Sequence, residues 1–177
     1  ATQDVVIPYS AHLQREAAPT RENRSLLLMG SGKLKPFGMF QGVRKRLLGR
    51  LRNMGRPDVD ARQMPYLEYS RRFYEAKFCL VLPGDTMSTQ QSARAMLSGC
   101  VPVFVVNEER DLFAFSLLDY AQFSLVLHVH EALRHHGAQH LLDRLEKLVE
   151  NGGYSKLKAN LQIALEFVDF SRSGPRS

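Results

Sequence analysis

The sequence predicts a three-layer α/β/α domain built on a mainly parallel sheet, and three observations carry that expectation. The run Phe78–Val105, FCLVLPGDTMSTQQSARAMLSGCVPVFV, fits strand, polar loop, helix and strand into one short stretch. Its opening strand is an apolar run stopped by Pro83 and Gly84, the form of a strand buried on both faces in a parallel sheet. Farther on, Gln139–Glu150 and Ser155–Phe170 repeat apolar residues at helical spacing. They do so through Leu141, Leu142, Leu145 and Leu148 and through Leu157, Leu161, Leu165 and Val168. At 177 residues with 44% hydrophobic content, the chain fits one domain with a sizeable core. That domain takes up residues 1–170, and SRSGPRS, 171–177, is tail.

Taken in order, Asp4–Pro8 reads as a strand, followed by an Ala/Pro/polar linker from Ser10 to Arg24. Leu26–Met29 is a strand that opens into the loop GSGKLKPFG. Its glycines, Gly30, Gly32 and Gly38, let backbone approach a ligand, although GSG is not the full dinucleotide fingerprint. Lys33 and Lys35 fit a solvated role as well as a functional one. A helix over Gln41–Asn53 turns Val43, Leu47, Leu48 and Leu51 inward. A break at Gly55–Pro57 precedes a short strand around Val59. Pro65 opens the next helix, with Leu67, Phe73 and Tyr74 as packing positions. After the Phe78–Pro83 strand and the loop GDTMST, Ser88 or Thr89 caps a helix that Gly99 closes, and VPVFVV follows as a strand. Phe123–Val129 is a further strand, HEALRH begins a helix, and His135 and His136 fall at a helix end or in a loop.

The net charge of +6 invites a nucleic-acid reading, and its distribution argues against one. The excess is concentrated in Arg44, Lys45, Arg46, Arg50, Arg52 and Arg56, with no acid before Asp58. For most of these a solvated helix face suffices. Arg44 and Lys45 differ because the first helical turn lies near the carboxyl end of Leu26–Met29, where open α/β sheets bind ligands. No aromatic-studded basic sheet or nucleic-acid motif accompanies the charge. No apolar run reaches the roughly 18 to 20 residues of a membrane span. Ala1–Tyr9 reads as a polar start and a strand rather than a signal peptide. Cys79 and Cys100 sit in or beside core strands, where small buried hydrophobes are favoured over a disulfide. His128 and His130 share a face of the expected strand by period two, and a sheet-surface pair is favoured over a metal site because no third ligand is in sight.

The loop GDTMST before a helix has the plan of a phosphate-binding site. The first helical turn leaves backbone N–H groups unpaired beside the positive end of the dipole, where an anion is stabilised. Ordinary capping and exposed helix surface is the competing account of Ser88, Thr89, Gln90 and Gln91.

The same block resembles the core of the exostosin-type (GT47-type) glycosyltransferases, whose pattern runs F-C-L-x-x-x-G, a Ser/Thr-rich loop, a short helix, then G-C-x-P-V. DVVIP, RSLLLMGS with GVRKRL after it, YLEYSRRFYEAKFCL and LLDYAQFSLVLHVHEAL follow in that family's order, so the resemblance runs from Asp4 to about Val168. It implies a Rossmann-like nucleotide-sugar-binding domain, the C-terminal, donor-binding half of a two-domain GT-B enzyme. It further implies a UDP-sugar donor, a glycan or glycoprotein acceptor, a missing N-terminal domain that holds the general base, and a Golgi membrane anchor outside this chain, on the lumenal side. The donor-binding residues implied are Gly30, Ser31, Arg44, Lys45, Gly84, Asp85, Thr86, Ser88, Thr89, Gln90, Gln91 and Arg94, with Arg44 ahead of Lys45 toward the diphosphate.

Two departures bear on chemistry. Where the family carries an Arg and, three residues later, an acidic residue that accepts from ribose hydroxyls, this chain has Gln91 and Arg94. A guanidinium has no acceptor, so Arg94 turns to the diphosphate, Asp85 or another loop group supplies the acceptor, or nucleotide binding is lost. The first two together are favoured. Ala114 also replaces the proline of the family's L-P-F piece. The readings that remain are a transferase half that binds donor without efficient turnover alone, a degenerate exostosin-like binding or scaffolding module, and, less favoured, a basic nucleic-acid binder. The sequence firmly implies no cofactor, leaves a divalent metal open, and does not identify the sugar.

Overall fold

The computed structural model describes residues 23–31, 41–83, 90–112 and 118–168. Five parallel strands form its sheet: β1 (Leu26–Met29), β2 (Val59–Asp60), β3 (Ala76–Val81), β4 (Val101–Val106) and β5 (Leu125–His128), in the order β2-β1-β3-β4-β5. Among the described residues six α-helices connect and cover them: α1 (Gln41–Asn53), α2 (Tyr66–Glu75), α3 (Gln90–Leu97), α4 (Val129–Leu133), α5 (Gly137–Glu150) and α6 (Gly153–Val168). The arrangement is the Rossmann-like three-layer α/β/α fold that the sequence predicts.

The layers follow from strand periodicity. Successive strand side chains point to opposite faces, so Phe78, Leu80, Val101, Val103 and Val105 join Val43, Leu47 and Leu51 of α1 and Leu141, Leu142 and Leu145 of α5 on one side. Cys79, Val81, Phe104 and Val106 meet Phe73 of α2, Met96 of α3 and Leu161 and Leu165 of α6 on the other. Both faces of β3 and β4 are thereby covered, which explains why these strands read as continuous apolar runs. Helix α6 starts against the first cluster through Tyr154 and Leu157 and continues against the second. No described helix is long and apolar enough to cross a membrane.

Several expectations are corrected. Cys79 and Cys100 are not free small hydrophobes but a fully buried disulfide, with a Cα–Cα distance of 5.8 Å. The cause is topological: β3 and β4 pair in parallel with Cys79 opposite Pro102, which brings Cys100, just ahead of β4, alongside. His128 and His130 do not share a strand, because β5 ends at His128. The His128 Nδ1 instead accepts from the His130 backbone N–H at 3.1 Å and caps α4. Leu67 is 75% exposed, whereas Phe73 is fully buried as expected. Arg24, assigned to a linker, is a buried residue of the core's edge. The Asp4–Pro8 strand, the Ser88 or Thr89 cap and Ala114 lie outside the described residues.

Candidate functional site at the switch point

In the strand order β2-β1-β3-β4-β5, the chain leaves β1 toward one edge and returns to β3 on its other side. Open α/β sheets bind ligands at such a point, in the crevice beyond the carboxyl ends of the two strands. The described residues around that crevice come from β1, β3, α1, α2 and α3.

Gly30 follows β1 and donates its N–H to the Asp60 carbonyl at 2.8 Å. A Cβ there would stand 3.0 Å from Leu80 Cδ2 and 3.1 Å from Leu48 Cδ2, so glycine lets α1 close onto the strand ends. Ser31, buried, is the next residue. Arg44, in the first turn of α1, reaches across to β3: its Nε donates to the Pro83 carbonyl at 2.8 Å and an Nη to that of Leu82 at 3.4 Å. The guanidinium thus sits at the base of the loop that leaves β3. Lys45 is exposed on the outward side of α1, because successive helical residues diverge by roughly 100°.

Gln91 spans the crevice. Its Nε2 donates to the Ser31 carbonyl at 2.7 Å, and its Oε1 lies 3.4 Å from the Leu82 backbone N–H, which donates to it. The Tyr69 phenol faces the same side chain. Burial pushes that phenol's pKa up, against the opposing pull of the Gln91 hydrogen bond and the Arg94 and Arg44 charges. Arg94, one turn along α3, lies over the rings of Tyr66, at 5.0 Å, and Tyr69, at 5.8 Å. It donates to the Tyr66 hydroxyl at 3.4 Å, while its Nε is buried without a partner among the described residues. Gln90 is exposed at the start of α3.

Of the residues singled out in the sequence, Gly30, Ser31, Arg44 and Gln91 therefore meet at the switch point. Arg94 packs on the tyrosines of α2, and Lys45 faces away. Gly84, Asp85, Thr86, Ser88 and Thr89 lie outside the described residues. Among the described residues no three His, Cys, Asp or Glu side chains converge as a metal site. Sequence reasoning missed Tyr66 and Tyr69, although their i, i+3 spacing in YLEY puts both rings on one helix face.

Beneath the site, the Cys79–Cys100 bridge closes a covalent ring over a separation of 21 residues. That ring contains the end of β3, the loop after it and α3. The segment that presents the crevice is stapled at its base to the sheet core.

The Exostosin GT47 domain model matches residues 1–145. The chain is also 28% identical over 140 residues to a protein of Arabidopsis thaliana described as "Probable arabinosyltransferase ARAD1". The match covers 75% of this chain and 30% of that protein, so the chain spans less than a third of the relative's length.

Proposed function

The chain belongs to the exostosin GT47 family, and from that premise we propose that it is the donor-binding half of a glycosyltransferase that moves a sugar from a UDP-sugar to a glycan acceptor. The observation that carries the reading is Arg44, fixed by the Pro83 and Leu82 carbonyls at the mouth of the β1/β3 crevice. In this reading the nucleotide sugar lies across the carboxyl ends of the strands. As the anomeric C–O bond breaks, its electron pair leaves with the diphosphate, whose growing charge Arg44 and the N–H groups at the start of α3 stabilise. An acceptor hydroxyl forms the new bond to the anomeric carbon. Its proton passes to a general base, which this reading places in an N-terminal half. Asp85 is the candidate acceptor for the ribose hydroxyls, the role Arg94 cannot fill. A buried disulfide forms and persists in oxidising compartments, which supports a lumenal, Golgi setting for the domain.

A second reading has its own support. Gln91 is engaged with Ser31 and Leu82, and Arg94 with Tyr66 and Tyr69, so the two positions that depart from the family pattern serve internal contacts. That is the expected condition of a degenerate binding module.

Calorimetric titration of the chain with UDP, against GDP and UMP, separates the readings when repeated on Arg44→Ala and Arg94→Glu. Saturable UDP binding that weakens in Arg44→Ala is the outcome expected of a donor site. No binding to any nucleotide by the folded chain favours the degenerate module.

A further inference from the structure

The cations in and just after α1 divide into two groups. Arg44 is held by the carbonyls at the end of β3. Arg50 donates to the carbonyls of Leu133 and Arg134 at 2.9 and 2.6 Å, and Arg56 pairs with Asp58 and Glu146 at 2.7 and 2.6 Å. Lys45, Arg46 and Arg52 are exposed and have no hydrogen-bond acceptor or carboxylate partner among the described residues. The helix contains no acidic residue that would partner them along its own surface. Lys45 and Arg52, seven positions apart, share one line of that surface, and Arg46 lies about 100° round the helix from Lys45, at the other border of the outward face. Solvent suffices for each of these cations singly, and together they make the outward side of α1 a positive surface complementary to an anion.

We propose that this face of α1 is a docking surface for an acidic glycan chain. The helix begins at the switch point, where Arg44 touches Pro83, and Arg52 stands eight residues on, about 12 Å along the axis. A chain laid along the outward face therefore leads to the mouth of the crevice. Among the described residues no aromatic or large apolar side chain accompanies the cations, since the exposed large hydrophobics there are Tyr66, Leu67, Val149 and Ile163, none of them on α1. As far as the described residues form it, the face lacks the stacking platforms of single-stranded nucleic-acid binders and the apolar wedge of a helix that enters a membrane surface. The choice of a glycan as the polyanion rests on the transferase reading above. The surface itself is tested independently of it.

The experiment measures anisotropy of a fluorescently labelled oligogalacturonate titrated with the whole chain, beside a neutral dextran oligomer and a single-stranded DNA of equal charge. UDP titration runs on the same samples. The expected result is salt-sensitive oligogalacturonate binding that falls about five- to tenfold in Arg46→Gln/Arg52→Gln, the range that two exposed ion pairs supply. Arg144→Gln/Lys147→Gln on α5 is expected to leave it unchanged. Equal binding by the α1 double variant, equal binding of the dextran, or preference for the DNA overturns the proposal. Loss of UDP binding with oligogalacturonate binding intact overturns the donor reading and leaves the docking surface standing.

Discussion

The Gln91 side chain donates to the Ser31 carbonyl at 2.7 Å, tying the first turn of α3 to the residue that leaves the other strand of the switch point. One amide side chain thereby fixes the width of the crevice. It serves as donor to β1's end and acceptor for the Leu82 N–H, a double duty that neither a carboxylate nor a guanidinium performs.

Gln91→Leu keeps the volume and removes both bonds, leaving the partly buried Ser31 carbonyl and Leu82 N–H unsatisfied. The expected loss is about 1 to 3 kcal/mol of unfolding free energy, read as a lower urea midpoint with an unchanged slope. Gln91→Glu keeps the acceptor toward Leu82 and turns a donor into a charge beside the Ser31 carbonyl, so it is expected to cost no less than Gln91→Leu. If both variants matched the parent, the bridge would have no role in holding the strand ends.

The disulfide makes the site-bearing excursion a closed ring. For cysteines 21 positions apart, the chain-entropy account gives about 3 kcal/mol of stabilisation. Cys79→Ala/Cys100→Ala is expected to lower the melting temperature by roughly 6 to 12 °C in a domain of this size. Chain unfolded without reductant is expected to release no thiol to a colorimetric reagent, and to release both after reduction. Thiols present before reduction would mean that the cysteines are free.

Much of the fold was legible because it was written in local patterns. The helix expected over Gln41–Asn53 has those bounds, with Val43, Leu47, Leu48 and Leu51 buried as its period requires. The strand read as Phe78–Pro83 is shifted to Ala76–Val81, since an apolar run marks burial and not where ladder bonds begin. What could not be read depends on neighbours distant in sequence. Cys79 and Cys100 meet only because β3 and β4 are adjacent. Arg24 reaches carbonyls 49 to 74 positions away. At the site, Arg44 was legible from its place in the first turn after a glycine loop. The Gln91 bridge was not, because an amide in a helix looks like surface until the strand end beside it is known.

Tyr120 gives the domain an alkaline limit. Burial pushes its phenol from the usual value near 10 up to about 12. Its ring packs edge-on against Phe104 at 5.2 Å and beside Phe123 at 5.1 Å. A folded pKa above the unfolded one means that the unfolded chain loses its proton first. The contribution is therefore complete below pH 10 and is lost as pH rises from 10 to 12. Absorbance titration of the phenols is expected to show Tyr120 ionising only as the near-ultraviolet circular dichroism collapses, and Tyr120→Phe is expected to move that collapse to higher pH. Reversible ionisation of all six tyrosines with the fold intact would refute the account.

Arg24 is the interaction expected to cost most when removed. Its Nη1 donates to the carbonyls of Phe73 and Ala76 at 2.7 and 2.6 Å, and its Nη2 to that of Ser98 at 2.6 Å. Its own carbonyl accepts from Lys77 Nζ at 2.9 Å. One buried cation thus closes the carboxyl ends of α2 and α3, where backbone carbonyls lack helical partners and the dipole favours positive charge. Burial lowers its pKa from the ordinary arginine value, while Tyr154 and Tyr74 pull the other way. Arg24→Met fills most of the space but leaves three carbonyls without a donor, with an expected cost of about 3 kcal/mol or more. Arg24→Lys keeps the charge on a compact ammonium that lacks the planar fork, so it is expected to recover only part of that loss. Chemical denaturation orders the three chains as parent, Lys and Met. A Met variant as stable as the parent would show that solvent satisfies those carbonyls, and that the clamp joining the two helix ends to β3 is dispensable.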